Sequence, residues 1–284
     1  HFNIPILYPR KMVITIHDLI LVKHPLSATI AASTRHPFVH RIKYWGFHVV
    51  LMIALARACR IIAVSQSVAD DLSVFASRIR QKIVVVPEAA DILPSSPPDA
   101  QLSSYMGRRF FFTAGNAYPH KNLEKLLTAM EYVHAEDSSL LLLLCGQEDF
   151  FQRKLVKTIE ASGSRAVIQH LGCVSDSSLR WLYEHAIAVV LPSREEGFGL
   201  QVVEAGLHGC PVICSDIPVY REVGGDAVRY VDTTHVPALA TTMLEFAHNE
   251  RVRSDLILKG RMRVQRFSWR RTAEKTQQCY QQCL

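Results

Sequence analysis

The stretch LPSREEGFGLQVVEAGLHGCPVICSD at residues 191–216 is the clearest indication of how this chain folds. The apolar run Ile187–Leu191 is typical of a buried strand, and it stops at Pro192 because proline cannot donate to a central ladder. A polar loop with two glycines follows, and a helix is predicted over Leu200–His208. Strand, loop and helix in this order form the unit from which parallel α/β sheets are built.

Strand-like and helix-like runs alternate on both sides of this stretch, and their short connections predict parallel sheets covered on both faces. The predicted strands are Lys11–His17, Arg60–Val64, Lys82–Val86, Arg109–Ala114, Leu140–Leu144, Val167–Leu171, Ile187–Leu191, Val212–Cys214 and Ala227–Val231. The predicted helices are Pro37–Ala58, one capped by Ser65 or Ser67 and ending at Phe75, one opened by Asn122, Phe150–Ala161, one capped by Ser175, Leu200–His208 and the tail His235–Leu284. We therefore expect an α/β protein with two doubly wound, Rossmann-like domains.

The segment ILPSSPPDAQ at residues 92–101 separates the two halves, because its three prolines exclude a helix interior and a central strand. We expect an N-terminal domain at 1–90, a linker at 91–107, a C-terminal domain at 108–266 and a terminal helix at 267–284. The chain has 284 residues and begins at His1, close to its first strand-like run. That length is slightly small for two full domains, so we expect the N-terminal one to be incomplete.

Charge and hydropathy narrow the classes of partner. The net charge is +6 and the isoelectric point about 9.0, which indicates an anionic partner. Phosphate groups and an anionic membrane surface both fit. Nucleic acid is not expected, because no basic block with interleaved aromatic residues occurs. The apolar stretch Trp45–Ala56 is too short to span a bilayer, which needs about 20 residues.

The seven cysteines indicate a reducing compartment. Their odd number and apolar neighbours are more typical of thiols in the cytoplasm than of a disulfide framework. A zinc site is the alternative, but the two CxxxC pairs, at 210/214 and at 279/283, lack the four ligands and the CxxC-like spacing typical of such sites. We expect a cytoplasmic protein, with the inner face of the membrane as a candidate peripheral location.

Two glutamates flank the predicted start of the helix. Glu196 lies in the loop at the carboxyl end of a strand, and Glu204 lies one turn into the helix. The backbone N–H groups of Gly197–Leu200 lie at the helix N-terminus, where phosphate binds well. A carboxylate can accept hydrogen bonds from both vicinal hydroxyls of a ribose. A capped helix with two solvated glutamates is the alternative interpretation.

Four collinear stretches resemble the GT-B, family 4 retaining glycosyltransferases. LPSREEGFGLQVVEAGLHGCPVICSD at 191–216 is similar to their donor-site signature, and GNAYPHKNLEKLL at 115–127 is similar to their phosphate-binding loop. TIHDLILVKHP at 15–25 looks like the N-domain strand and loop at the cleft, and Phe267-Ser268-Trp269 like the C-terminal crossover. The resemblance implies an acceptor side at 1–90, a donor-binding domain at 108–266 and a last helix that packs toward the N-domain.

The resemblance also implies a role for each matched residue. Glu204 would bind the ribose, Lys121 would neutralise the diphosphate, and the amides of Phe198, Gly199 and Leu200 would help to hold the donor. The catalytic pair would be His17, near the bond that breaks, and Glu196, on the donor sugar. The implied donor-binding set is Asn116, Lys121, Gly197, Phe198, Gly199, Leu200 and Glu204.

Two positions keep alternatives open. Many relatives carry arginine where this chain has Asn116, so one of two cationic diphosphate contacts is missing. His17 at a strand end is as consistent with a structural histidine as with a catalytic one, although Asp18 beside it favours the site.

The resemblance implies a metal-independent, retaining hexosyltransferase without a cofactor. It would move a hexose from a nucleotide-diphosphate sugar to the hydroxyl of a glycan or lipid-linked acceptor, in glycan, polysaccharide or glycolipid synthesis. A non-catalytic nucleotide-sugar-binding remnant is the alternative. A dinucleotide oxidoreductase is disfavoured, because no G-x-G-x-x-G turn follows any predicted strand.

Overall fold

The computed structural model describes residue 4 and residues 10–24, 37–162 and 164–284. Pro25, the end of the matched stretch at 15–25, and most of positions 1–9 of the predicted N-terminal domain lie outside the described residues. The chain forms two compact units. The first comprises His1–Ala90, Glu195–Leu200 and Arg266–Leu284, and the second Asp91–Arg194 and Gln201–Gln265.

Strands and helices alternate along the described chain. The strands are β1 (Met12–Ile16), β2 (Ala58–Ala63), β3 (Ile83–Val85), β4 (Arg109–Ala114), β5 (Leu140–Cys145), β6 (Ile168–Gly172), β7 (Ala188–Leu191), β8 (Val212–Ser215) and β9 (Arg229–Val231). The helices are α1 (Ile20–Lys23), α2 (Pro37–Arg57), α3 (Gln66–Phe75), α4 (Leu123–Glu136), α5 (Phe150–Ala161), α6 (Asp176–His185), α7 (Leu200–His208), α8 (Pro218–Gly224), α9 (Val236–His248), α10 (Glu250–Arg263) and α11 (Trp269–Gln281).

The first unit is built on a parallel sheet with the order β1-β2-β3 in its described part. Ile14 and Ile16 of β1 and Ile61 and Ile62 of β2 are buried in its core, as expected for a parallel sheet. The terminal helix α11 packs on the same unit. Cys279 contacts the buried residues Ile62 and Val86, and Thr272 Oγ1 donates to Pro87 O at 2.7 Å.

A disulfide joins Cys59 at β2 to Cys283 just after α11, across 224 positions of the chain. The interpretation of all seven cysteines as thiols is therefore wrong for this pair. The sequence could not show the pairing, because only folding brings these two cysteines together. Cys145, Cys173, Cys210, Cys214 and Cys279 are free thiols.

The second unit is a six-stranded parallel sheet with the order β6-β5-β4-β7-β8-β9. From β4 the chain adds β5 and β6 on one side, and it then returns to add β7, β8 and β9 on the other. Ligands of open α/β sheets bind at the carboxyl ends of the strands beside such a reversal. Buried leucines of β5 and of α4 form much of the core on one face.

Local differences from the sequence predictions have local causes. The helix α8 was not predicted, because it is only seven residues long and begins at a proline. The predicted helical tail is three helices, interrupted at Asn249 and around Phe267. Asn249 and Ser268 cap the helices that follow, since their side chains accept from the N–H groups of Val252 and Arg271.

Among the described residues, no helix is both long and apolar enough to cross a bilayer.

Candidate functional site

The glycine loop before α7 is bound to the first unit through its backbone. Ser65 Oγ accepts from Val68 N at 3.1 Å, which caps α3, and donates to Gly197 O at 2.7 Å. A Cβ added to Gly197 would lie 1.8 Å from the carbonyl oxygen of His17. Only glycine therefore permits this approach, and the loop lies directly against the carboxyl end of β1.

An ionic cluster holds the same loop at its start. Lys23 Nζ lies 2.6 Å from both Asp71 Oδ2 and Glu195 Oε1, and His24 Nε2 lies 3.7 Å from Glu195 Oε2. Burial alone would lower the pKa of Lys23, but hydrogen bonds to the two carboxylates outweigh it and raise this pKa. The ammonium thus stays charged and fixes the residue next to Glu196.

His17 is paired with a carboxylate that the sequence pattern did not single out. Its Nδ1 lies 2.9 Å from Glu88 Oε1, just after β3. The hydrogen bond to Glu88 raises the pKa of His17, although partial burial opposes the shift. Because Glu88 occupies Nδ1, the imidazole is oriented and its protonated form is favoured.

The stretch Gly115–Asn122 forms a tight turn in the second unit, at the carboxyl end of β4. Gly115 adopts φ +112°, and a Cβ on Gly146 would lie 2.0 Å from Gly115 O, so the ends of β4 and β5 approach closely. A short 3₁₀ helix, Pro119–Lys121, precedes Asn122 in the left-handed region at φ +56°. This turn places Lys121 beside the strand-order reversal of the sheet.

Asn116 lies in the same turn and carries an unsatisfied acceptor. Its Oδ1 is buried and makes no hydrogen bond within the described residues. Burying such a group costs about 1–3 kcal/mol. Asn116 thus offers an uncharged acceptor that a ligand donor could satisfy.

Arg194 is a second cation at this turn, and the sequence pattern did not reveal it. Its Nη2 donates to Asn122 Oδ1 at 3.0 Å, and its backbone N–H donates to His120 O at 2.7 Å. Asn122 is buried and in turn donates to Thr233 O at 3.2 Å. In the sequence Arg194 is one of several charged loop residues, and only the fold brings it to the turn.

Gln201 ties α7 to the same edge of the sheet, and its role was also missed. Its Nε2 donates to Ala114 O at 2.6 Å, directly before Gly115. A side-chain amide in the first turn of a helix carries no motif of its own, so no pattern could have identified it.

Glu204 lies half-buried on α7, and Tyr183 on α6 donates to its Oε2 at 2.8 Å. Burial raises the pKa of Glu204, whereas the hydrogen bond from Tyr183 lowers it. The hydroxyl of Tyr183 thus orients the carboxylate of Glu204.

The profile of the family Glycosyl transferases group 1 matches residues 98–263. The chain belongs to this family. It is 30% identical over 197 residues to O-antigen chain mannosyltransferase B of Escherichia coli, covering 68% of this chain and 52% of that protein. It is 28% identical over 237 residues to O-antigen chain mannosyltransferase RfbU of Salmonella typhimurium, covering 82% of this chain and 59% of that protein. This group 1 chain thus spans little more than half the length of these curated relatives.

Solved structures show the same fold. Sucrose-phosphate synthase of Thermosynechococcus elongatus superposes with a TM-score of 0.74 at 21% identity, covering 97% of this chain and 68% of that one. HepE of Anabaena, in complex with UDP and glucose, superposes with a TM-score of 0.76 at 18% identity, covering 96% and 72%. The predicted α/β GT-B class with Rossmann-like units is confirmed.

The predicted site residues of this group 1 chain fall into two sets. His17, Glu196, Gly197, Phe198, Gly199 and Leu200 belong to the first unit, and Asn116, Lys121 and Glu204 to the second. The boundary passes through the signature itself, because Glu195–Leu200 groups with the first unit. The ligand roles of both sets stay predictions.

Proposed function

We propose that this chain is a glycosyltransferase that moves a hexose from a nucleotide-diphosphate sugar to an acceptor hydroxyl, in polysaccharide, glycan or glycolipid synthesis. The observation that carries the proposal is the turn at residues 115–122, where Lys121 and Arg194 lie at the carboxyl end of β4 beside the strand-order reversal. A diphosphate fits this edge, because cations and backbone N–H groups converge there in doubly wound sheets. Glu204 would bind the ribose.

Mannose is the hexose that the comparisons favour. The two O-antigen relatives are named mannosyltransferases. The acceptor would be a glycan or a lipid-linked glycan.

The reaction would proceed with retention and without a metal ion. The bond between the anomeric carbon and the diphosphate oxygen breaks, and the acceptor oxygen bonds to the same face of the sugar. The acceptor proton passes to the departing diphosphate. Lys121 would stabilise the charge that develops on this leaving group, which is the role a divalent ion plays elsewhere. His17 and Glu196 would contact the donor sugar.

An anionic membrane is the proposed surface partner, at the inner face of the cytoplasmic membrane. The helix α2 exposes Phe38, Ile42, Trp45 and Met52 at helical spacing, and the exposed cations Arg41 and Lys43 lie among them. An apolar face rimmed by cations suits an anionic lipid interface.

A donor screen tests the proposed function. Binding and product formation would be measured with UDP-, GDP- and ADP-linked hexoses, mannose included, in buffer with and without a metal chelator. We expect one nucleotide to bind, the product to keep the donor's anomeric configuration, and the chelator to have no effect. Glu204→Ala should weaken binding at least tenfold, whereas Glu136→Ala, at the exposed end of α4, should not.

Each part of the proposal has its own contrary outcome. Binding without transfer would leave a nucleotide-sugar-binding protein. An inverted product would contradict retention, and chelator sensitivity would contradict metal independence. Unchanged nucleotide affinity in Glu204→Ala would remove Glu204 from the donor site.

A further inference from the structure

Tyr183 is a buried tyrosine whose hydroxyl points at a predicted ligand residue. It lies on α6 and is 1% exposed, and its Oη lies 2.8 Å from Glu204 Oε2 on α7. A phenylalanine would fill the same volume, so packing does not explain the hydroxyl. A buried hydroxyl without a partner destabilises the fold, which makes its bond to Glu204 the reason for a tyrosine here.

The ring of Tyr183 is fixed from two sides. Phe112 of β4 packs edge-on at 4.9 Å between ring centroids, and His208 of α7 is stacked at 5.9 Å. His208 is itself held, since its Nε2 accepts from the N–H of Leu93 at 3.2 Å. Burial lowers the pKa of His208, which keeps the imidazole neutral and able to accept. The direction of the Tyr183 hydroxyl is thus set by its packing.

The charges around the pair assign the donor and the acceptor. Burial raises the pKa of Tyr183 well above its usual range, so the hydroxyl keeps its proton. Burial and the carboxylate of Asp176 raise the pKa of Glu204, and Tyr183 opposes both. Cys145 and Cys210, the thiols close to Tyr183, are uncharged because burial raises the pKa of each. Tyr183 is therefore the group that favours the ionised form of Glu204.

We propose that Tyr183 is a positioning residue for the nucleotide, which holds Glu204 in the orientation that accepts the vicinal ribose hydroxyls. The inference rests on the proposed function, because it requires a nucleotide at Glu204. Oε1 of Glu204 makes no hydrogen bond within the described residues and is available to one hydroxyl. Oε2 keeps a lone pair for the other, since Tyr183 uses only one.

Tyr183→Phe tests the proposal, with Tyr230→Phe as the matched control. Tyr230 also donates a half-buried hydroxyl in the second unit, to Gly225 O at 2.7 Å. Calorimetric Kd values would be measured for the nucleoside diphosphate that the wild type binds and for its 2′-deoxy form. Tyr183→Phe should weaken the ribonucleotide about tenfold, as expected for loss of one charge-assisted hydrogen bond. Its penalty for the deoxy form should be several-fold smaller than that of the wild type and of Tyr230→Phe.

The pH profile is a readout that a purely structural role would not move. Ribose binding needs the carboxylate, so affinity is lost as pH falls through the pKa of Glu204. Tyr183→Phe removes the bond that lowers this pKa, and the midpoint should move to higher pH. If Tyr183→Phe does not fold, 3-fluorotyrosine at position 183 retains the hydroxyl and makes it a stronger donor. The midpoint should then move to lower pH.

The possible results distinguish a failure of the role of Tyr183 from a failure of the proposed function. If the wild type binds no nucleoside diphosphate, the proposed function fails. If the wild type binds but Tyr183→Phe keeps its Kd, its deoxy penalty and its midpoint, only the role of Tyr183 is overturned. For the fluorinated protein, an unmoved midpoint overturns that role in the same way.

Discussion

Asn116 is an uncharged residue with an unsatisfied acceptor in the turn at residues 115–122. Its buried Oδ1 makes no hydrogen bond within the described residues, and the family resemblance of the sequence implies an arginine at this position. Arg194 lies at the other end of the same turn, bound to Asn122. The departure at Asn116 was visible in the sequence, but Arg194 was not, because no spacing links residue 194 to residue 122.

Asn116→Arg should increase the affinity for a nucleoside diphosphate. A further cation at the turn, in addition to Lys121 and Arg194, would add one charge-assisted contact, worth about tenfold in Kd. The dependence of Kd on salt should become steeper, which titration at several ionic strengths measures. Ala135→Arg adds the same charge at the exposed end of α4 and should change neither quantity. A tighter Kd in both variants would show a general charge effect and contradict a contact at the turn.

The elements of the second unit were largely predictable. The predicted bounds of β4, α5 and α7 agree with the structure, because propensity, capping and tertiary packing all favour the same state there. In the first unit, by contrast, the strand β2 begins two residues earlier than predicted, since Ala58 pairs with Met12 of β1. Where a strand ends depends on the strand with which it pairs, and a single run of residues does not reveal that partner.

The helix α2 exposes an apolar face that predicts binding to an anionic membrane. Its exposed side chains Phe38, Ile42, Trp45 and Met52 should insert into an anionic interface, with Arg41 and Lys43 on the phosphates. The protein should co-sediment with vesicles containing phosphatidylglycerol more than with pure phosphatidylcholine, and high salt should weaken this binding.

Trp45→Ser should reduce sedimentation several-fold. Leu258→Ser removes another exposed apolar side chain, on α10 in the second unit, and serves as the control. Equal losses in both variants, or no preference for the anionic vesicles, would remove α2 as the membrane face.

At the scale of the molecule, the terminal helix is held to the first unit by several bonds. Cys283 is disulfide-bonded to Cys59, and the guanidinium of Arg60 donates to Gln282 Oε1 at 2.8 Å. Thr272 adds its hydrogen bond to Pro87 O. These contacts join residues more than 180 positions apart, so the start and the end of the described chain share one unit.

The disulfide predicts a thiol count and a stability difference. Without reductant, the denatured protein should show five free thiols, and after reduction seven. Cys283→Ser should lower the free energy of unfolding by up to about 4–5 kcal/mol, because the bond closes a very long loop. Urea unfolding measures the difference, and Cys173→Ser, at an exposed free thiol, should leave it unchanged. Seven free thiols without reductant would contradict the bond.

The sequence alone predicts the α/β class, most of the elements and the family, because these depend on periodicity, capping and collinear motifs. It also singled out the signature at 191–216 as the decisive stretch. Only the tertiary structure divided that signature, with Glu195–Leu200 bound by Ser65 and Lys23 in the first unit and Glu204 bound by Tyr183 in the second. It also paired His17 with Glu88 and Arg194 with Asn122. These are contacts between side chains distant in sequence, and no local pattern encodes which partner a side chain will meet.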